Sequence, residues 1–206
     1  MEPLREKDHA IRFMGGHRVV LQVAAFAKHG EWIRESGWVS HSYGAKEEAP
    51  VFGFLVAANG PEELTTFFLP EEVSSKPVVR EIEALNGQAF EINFGGKHDI
   101  LLFNGRSGSS KGQIETPRLK SDFDVAWFRF ASEETRTPEE LLLIRGQKLE
   151  LDGRVLLQSA GMIDYLTGYS IGDRFKMETK DGVLETALPI VDLESRLEKL
   201  KLGFVN

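Results

Sequence analysis

Short apolar or alternating runs, cut by turn residues, dominate this 206-residue chain. His17 to Ala27 reads as a long strand with Val19, Leu21 and Val23 on one face. Phe90-Glu91-Ile92-Asn93-Phe94 and Phe175-Lys176-Met177-Glu178-Thr179 alternate apolar and polar residues, the period of a half-buried strand. Val51 to Ala57 is a continuous apolar run, which predicts a strand buried on both faces. Val125 to Phe130 is aromatic and β-branched enough for a central strand, and Leu141–Ile144 and Val155–Leu157 complete the set.

The breaks agree with the runs. Asp152-Gly153 sits between Leu149-Glu150-Leu151 and Arg154-Val155-Leu156-Leu157, and both turn residues tolerate the positive φ of a tight hairpin. Asp181-Gly182, Asn86-Gly87, Asn59-Gly60-Pro61 and Asn104-Gly105 punctuate the chain in the same way. Thr137-Pro138-Glu139-Glu140 has the look of a helix cap, but Leu141 onward favours a strand. Leu193, Leu197 and Leu200 lie at helical spacing and predict one short C-terminal helix. The expectation is an all-β fold of stacked antiparallel sheets or a β-sandwich. The length suits one large β-domain or two small ones, and with no long linker in view residues 1–206 are read as a single domain.

Composition narrows the chemistry. The chain is 41% hydrophobic and 28% charged, enough for a buried core. It has no cysteine, which excludes disulfides, thiolate catalysis and cysteine-bound zinc. The net charge of −7 argues against nonspecific nucleic-acid binding. A local basic stretch stands out all the same: Arg106, Lys111, Arg118 and Lys120 surround Glu115 alone between residues 105 and 120. The N-terminus is charged and lacks an apolar signal core, and no apolar run approaches the length of a bilayer. No His-x-His spacing, Gly-x-Ser-x-Gly elbow or phosphate loop is present. No metal or cofactor is expected from these residues.

One segment concentrates candidate chemistry. Gly37-Trp38-Val39-Ser40-His41-Ser42-Tyr43-Gly44 holds an indole, an imidazole and a phenol between glycines. Aromatic faces suit sugar rings, and a His/Tyr pair can move protons. The same residues also suit a β-protein in which Trp38 and Tyr43 are core or corner aromatics and His41 is a hydrogen-bonded turn residue.

Three ordered stretches carry a resemblance. They are Gly37 to Val51, Leu64-Thr65-Thr66-Phe67-Phe68-Leu69-Pro70, and Glu140-Leu141-Leu142-Leu143-Ile144-Arg145-Gly146-Gln147-Lys148-Leu149-Glu150-Leu151-Asp152-Gly153-Arg154. Together, over roughly residues 10–180, the chain resembles the C-terminal β-domain of heparinase II/III-like, or alginate lyase-like, polysaccharide lyases. The resemblance implies stacked antiparallel sheets, an acidic polysaccharide or an α/α-toroid lyase domain as partner, and a parent family often periplasmic or secreted. The toroid's long helical repeats have no counterpart in these residues, and neither does the family's catalytic histidine and zinc pattern ahead of Gly37.

The expectation that follows is a noncatalytic β-domain of a uronate polysaccharide lyase, packing on a toroid or on polysaccharide. Trp38, His41 and Tyr43 are its candidate contacts, with Arg106 and Lys111 for carboxylates. The alternatives are a stand-alone carbohydrate-binding module, or an all-β lyase that uses Tyr43 and His41 for β-elimination. One assay separates them. With heparin-like or alginate substrates, the noncatalytic reading expects no unsaturated-uronate absorbance. The enzymatic reading expects turnover that Tyr43→Phe abolishes.

Overall fold

The computed structural model describes residues 3–6, 10–15, 17–40, 42–60, 62–70, 76–105, 112–171, 174–180 and 182–186. Among them the fold is all-β with antiparallel pairing throughout, as the runs predict. No described helix is long and apolar enough to cross a membrane. The C-terminal helix expected at Leu193–Leu200 lies outside the described residues. The chain divides into two compact units, residues 1–77 and 78–206.

The first unit holds a four-stranded sheet and a two-stranded ribbon. The sheet runs in the order β1 (Pro3–Glu6), β2 (Ala10–Gly15), β3 (Arg18–Phe26) and β6 (Thr65–Pro70). β3 is hydrogen-bonded between β2 and β6, and its residues 22–26 are buried on both faces. The long strand expected from His17 to Ala27 is present as β3. Even Gln22 is buried, and its Oε1 has no hydrogen-bond partner among the described residues.

The ribbon pairs β4 (Gly30–Val39) with β5 (Glu47–Val56) over ten residues. Near its base Trp32 packs edge-on against Phe54, and Phe52 meets Phe13 of β2 in the same way. On the other face of β5, Val51 and Leu55 are exposed, so the apolar run is not buried on both faces. A continuous apolar run reports strand propensity; how many neighbours cover the strand is a tertiary matter.

The second unit is a single large sheet in the order β16, β15, β14, β13, β12, β9, β8, β7. These strands are β7 (Val78–Ile82), β8 (Gly87–Phe94), β9 (Lys97–Asn104), β12 (Val125–Phe130), β13 (Glu140–Leu151), β14 (Arg154–Ile171), β15 (Arg174–Thr179) and β16 (Gly182–Thr186). Two short strands, β10 (Ile114–Glu115) and β11 (Leu119–Ser121), join it beside β13. The Asp152-Gly153 turn matches its sequence signal, both residues taking positive φ, and Gly95 and Gly96 turn the chain between β8 and β9 in the same way.

The sheet curls because β13 changes partner partway along. Its first half pairs with β12, its last three residues pair with β11, and the register with β14 shifts after Gly146. At the break Arg145 takes φ +51. The amides of Gln147 and Lys148 both donate to Asp122 Oδ1, at 2.8 and 2.7 Å. The Asp124 amide donates to the carbonyls of Ile144 and Arg145, while the Arg145 guanidinium reaches the Asp124 carboxylate at 2.5 Å. This is a bulge whose displaced amides are received by one fixed carboxylate.

The curl encloses the core. Ile100 and Leu102 of β9, Phe128 and Phe130 of β12, Leu143 of β13, Leu166 of β14 and Met177 of β15 fill one face, all 2% exposed or less. Phe123 packs at the bulge itself. A Cβ on Gly146 would stand 2.5 Å from its ring and 2.6 Å from its Cα. Gly146→Ala should therefore lower stability by about 1–3 kcal/mol in urea unfolding. Gly60→Ala, where an added Cβ meets nothing within 4 Å, should stay within about 0.5 kcal/mol. Equal stability of the two variants would contradict the close packing at Phe123.

Candidate functional site

Strand alternation decides which side chains of the large sheet face away from its core. In β12, Ala126, Phe128 and Phe130 point inward, which sends Val125, Trp127 and Arg129 to the outer face. Cross-strand register then assembles two rows there. One runs Asp99, Arg129, Glu140, Tyr169, Lys176 across β9, β12, β13, β14 and β15. The other runs Leu101, Trp127, Leu142, Thr167, Glu178 across the same strands.

Between these rows lies a groove of about 680 Å³, to which Trp127, Glu139, Glu140, Thr167, Tyr169 and Ser170 all contribute. Its polar groups are held in place. Arg129 grips Asp99 with two hydrogen bonds, Nε to Oδ1 at 2.9 Å and Nη2 to Oδ2 at 2.8 Å, and stands 3.8 Å from Glu140. The Asp99 hydrogen bond raises the guanidinium's pKa above its ordinary value, so this cation is permanent. The same guanidinium lies over Trp127, 5.0 Å from the ring centroid. Lys97 donates to Glu139 at 2.6 Å. Ser170 ties the wall together: its amide donates to the Glu139 carbonyl and its hydroxyl to the Pro138 carbonyl.

At the far end Lys176 lies 5.5 Å from the Tyr169 ring centroid and 3.5 Å from Glu178. Its pKa is raised, first by the hydrogen bond to the Tyr169 hydroxyl. Both groove aromatics are thus steadied by a cation on one side. The arrangement offers two aromatic surfaces with fixed carboxylate and hydroxyl groups between them. Among the described residues no group of three or more His, Asp or Glu side chains is placed to hold a metal. His98 is buried on the opposite face of the sheet, its Nδ1 2.9 Å from Asn93 Oδ1.

The residues singled out from the sequence lie elsewhere. Trp38 is on β4 near the ribbon's tip and is 71% exposed, and Tyr43 is fully exposed in the turn that follows. They are surface aromatics, and the core reading of that segment does not hold. His41, Arg106 and Lys111 lie outside the described residues. Trp127 and Tyr169 were not picked out from the sequence, although the Val125-to-Phe130 strand was. Its alternation was the available signal, since a strand with Phe128 and Phe130 on the core side must turn Trp127 the other way.

No protein-family model matches the chain, and no curated protein sequence matches it. The geometry of Trp38 generates a direct check. Trp38→Ala should change unfolding free energy by less than about 1 kcal/mol, whereas a core tryptophan would lose about 3–5 kcal/mol. A large loss would mean that the indole is covered.

Proposed function

We propose that this chain is a noncatalytic β-domain of the uronate polysaccharide lyase kind, and that it holds a polysaccharide along the outer face of its large sheet. The observation that carries this reading is the pairing of Trp127 and Tyr169 in one open groove. Sugar rings have a C–H-rich face and a rim of hydroxyls. An aromatic surface receives the first, and fixed carboxylates and hydroxyls receive the second. Trp127 and Tyr169 stand two strands apart and two residues out of line, so their Cα atoms are separated by roughly 12 Å. That span suits successive units of a chain better than a single small ligand. Glu139, Glu140, Thr167 and Ser170 lie between them as hydroxyl partners, while Arg129 and Lys176 flank the groove, engaged by Asp99 and Glu178.

The exposed Trp38 and Tyr43 at the ribbon's tip support a second contact with polysaccharide or with a neighbouring toroid domain. As a proton-transfer group Tyr43 is poorly supported. A general base needs a fixed partner and a position against its substrate, and this phenol stands fully in solvent.

Affinity electrophoresis in gels containing heparin, alginate or an uncharged glucan tests the reading. Trp127→Ala and Tyr169→Ala should each weaken binding by about 1 kcal/mol, roughly fivefold in Kd. Wild-type retardation that neither variant reduces would rule the groove out, and Trp38→Ala in the same gels reports on the ribbon.

A further inference from the structure

We infer that the β13–β14 hairpin carries an oxyanion site, in which Arg136 and Arg154 hold a carboxylate, sulfate or phosphate group over an apolar floor. The recess measures about 250 Å³, and its lining includes Arg136, Arg154, Leu151, Leu156 and Asp152. It is separate from the groove and does not depend on the polysaccharide reading.

The local sequence builds it. Asp152-Gly153 closes the hairpin in two residues, which fixes where Arg154 emerges. Arg154 pairs in register with Leu151, and alternation places Leu156 on the same face. Both leucines are 7% exposed, so the guanidinium stands at the edge of apolar surface. Arg136 comes from the opposite side, on the segment between β12 and β13.

That segment is anchored by a different arginine. Arg118 donates from Nη1 to the Glu133 carbonyl at 3.3 Å and from Nη2 to the Thr135 carbonyl at 3.1 Å. Its guanidinium lies 4.9 Å from the Phe130 ring centroid, and its Nε donates to Asp152 Oδ1 at 3.3 Å. Asp152 is the carboxylate of this lining, and Arg118 already engages it. Arg136 stands 3.9 Å from its other oxygen, and Arg154 makes no ion pair among the described residues. Nearby, Glu134 accepts from the Ser132 hydroxyl within its own loop at 2.8 Å, and Glu133 is exposed.

Arg118 and Arg136 therefore share the one carboxylate of the lining, and Arg154 stands beside it with no ion pair among the described residues. The Arg136 side chain is 82% exposed, so its guanidinium is open to a ligand arriving from solvent. Guanidinium forks match the flat, multidentate geometry of oxyanions, which a single ammonium group does not.

The test is a magnetic-resonance titration of the isotope-labelled full chain. Sodium acetate, sodium sulfate and sodium phosphate are each compared with sodium chloride at equal ionic strength. The expected result is a saturable shift of the Gly153 and Arg154 amides and of the Arg136 and Arg154 side-chain signals in at least one oxyanion arm, absent with chloride. The arm that responds identifies the chemistry. Arg154→Gln and Arg136→Gln should each weaken that binding roughly tenfold while the melting temperature holds. Trp127→Ala should leave the titration unchanged, so failure of this site and failure of the groove read separately. The proposal is overturned if no oxyanion gives a saturable shift there, if chloride gives the same shifts, or if both arginine variants bind as wild type.

Discussion

The large sheet depends on one carboxylate receiving two backbone amides. Where β13 leaves β12 for β11, Gln147 and Lys148 lose regular ladder partners, and Asp122 Oδ1 accepts from both. Buried amides without partners are strongly unfavourable, so the partner switch needs such an acceptor at that point. Asp124 secures the other side through its amide and its pairing with Arg145. The bend lets Phe123, Leu149 and Leu157 close the same core that Phe128 and Leu143 open. A flat sheet would leave one of those groups in water.

The bend also explains why the functional features lie where they do. The groove is on the straight half of β13, where Arg129, Glu140 and Tyr169 stay in register. The recess between Arg136 and Arg154 lies at the curled end, beside the hairpin turn. The segment from Arg136 to Glu140 lines both, with Pro138 buried between its polar neighbours. One short stretch of irregular backbone, fixed by Arg118 on one side and Ser170 on the other, therefore holds walls of two sites.

Much of the architecture was legible in the residues. Alternation in Phe90–Phe94 and Phe175–Thr179 marks strands, and Asp152-Gly153 announces its hairpin because few residue pairs accept two positive φ angles. What stayed hidden depends on partners distant in sequence. Nothing local in Val51–Val56 tells that β4 is its one strand partner among the described residues, and nothing near Gln22 tells that this polar side chain is buried. Arg145-Gly146 carries no pattern that announces a bulge, since its cause, Asp122, lies more than twenty residues away. The attention drawn to Trp38 and Tyr43 reflects residue type, whereas the groove arises from the register of Trp127, Leu142 and Thr167, which no single stretch displays.

The strand order of the large sheet has a kinetic consequence. Apart from β9 with β12 and β11 with β13, every pairing joins strands consecutive along the chain. Neighbouring hairpins close short loops, whereas β9 with β12 must close the chain from Gly105 to Asp124 and β11 with β13 must close the chain through β12. The ladder from β12 to β16 contains only pairings between consecutive strands, so its contacts need no part of the segment that joins β9 to β12.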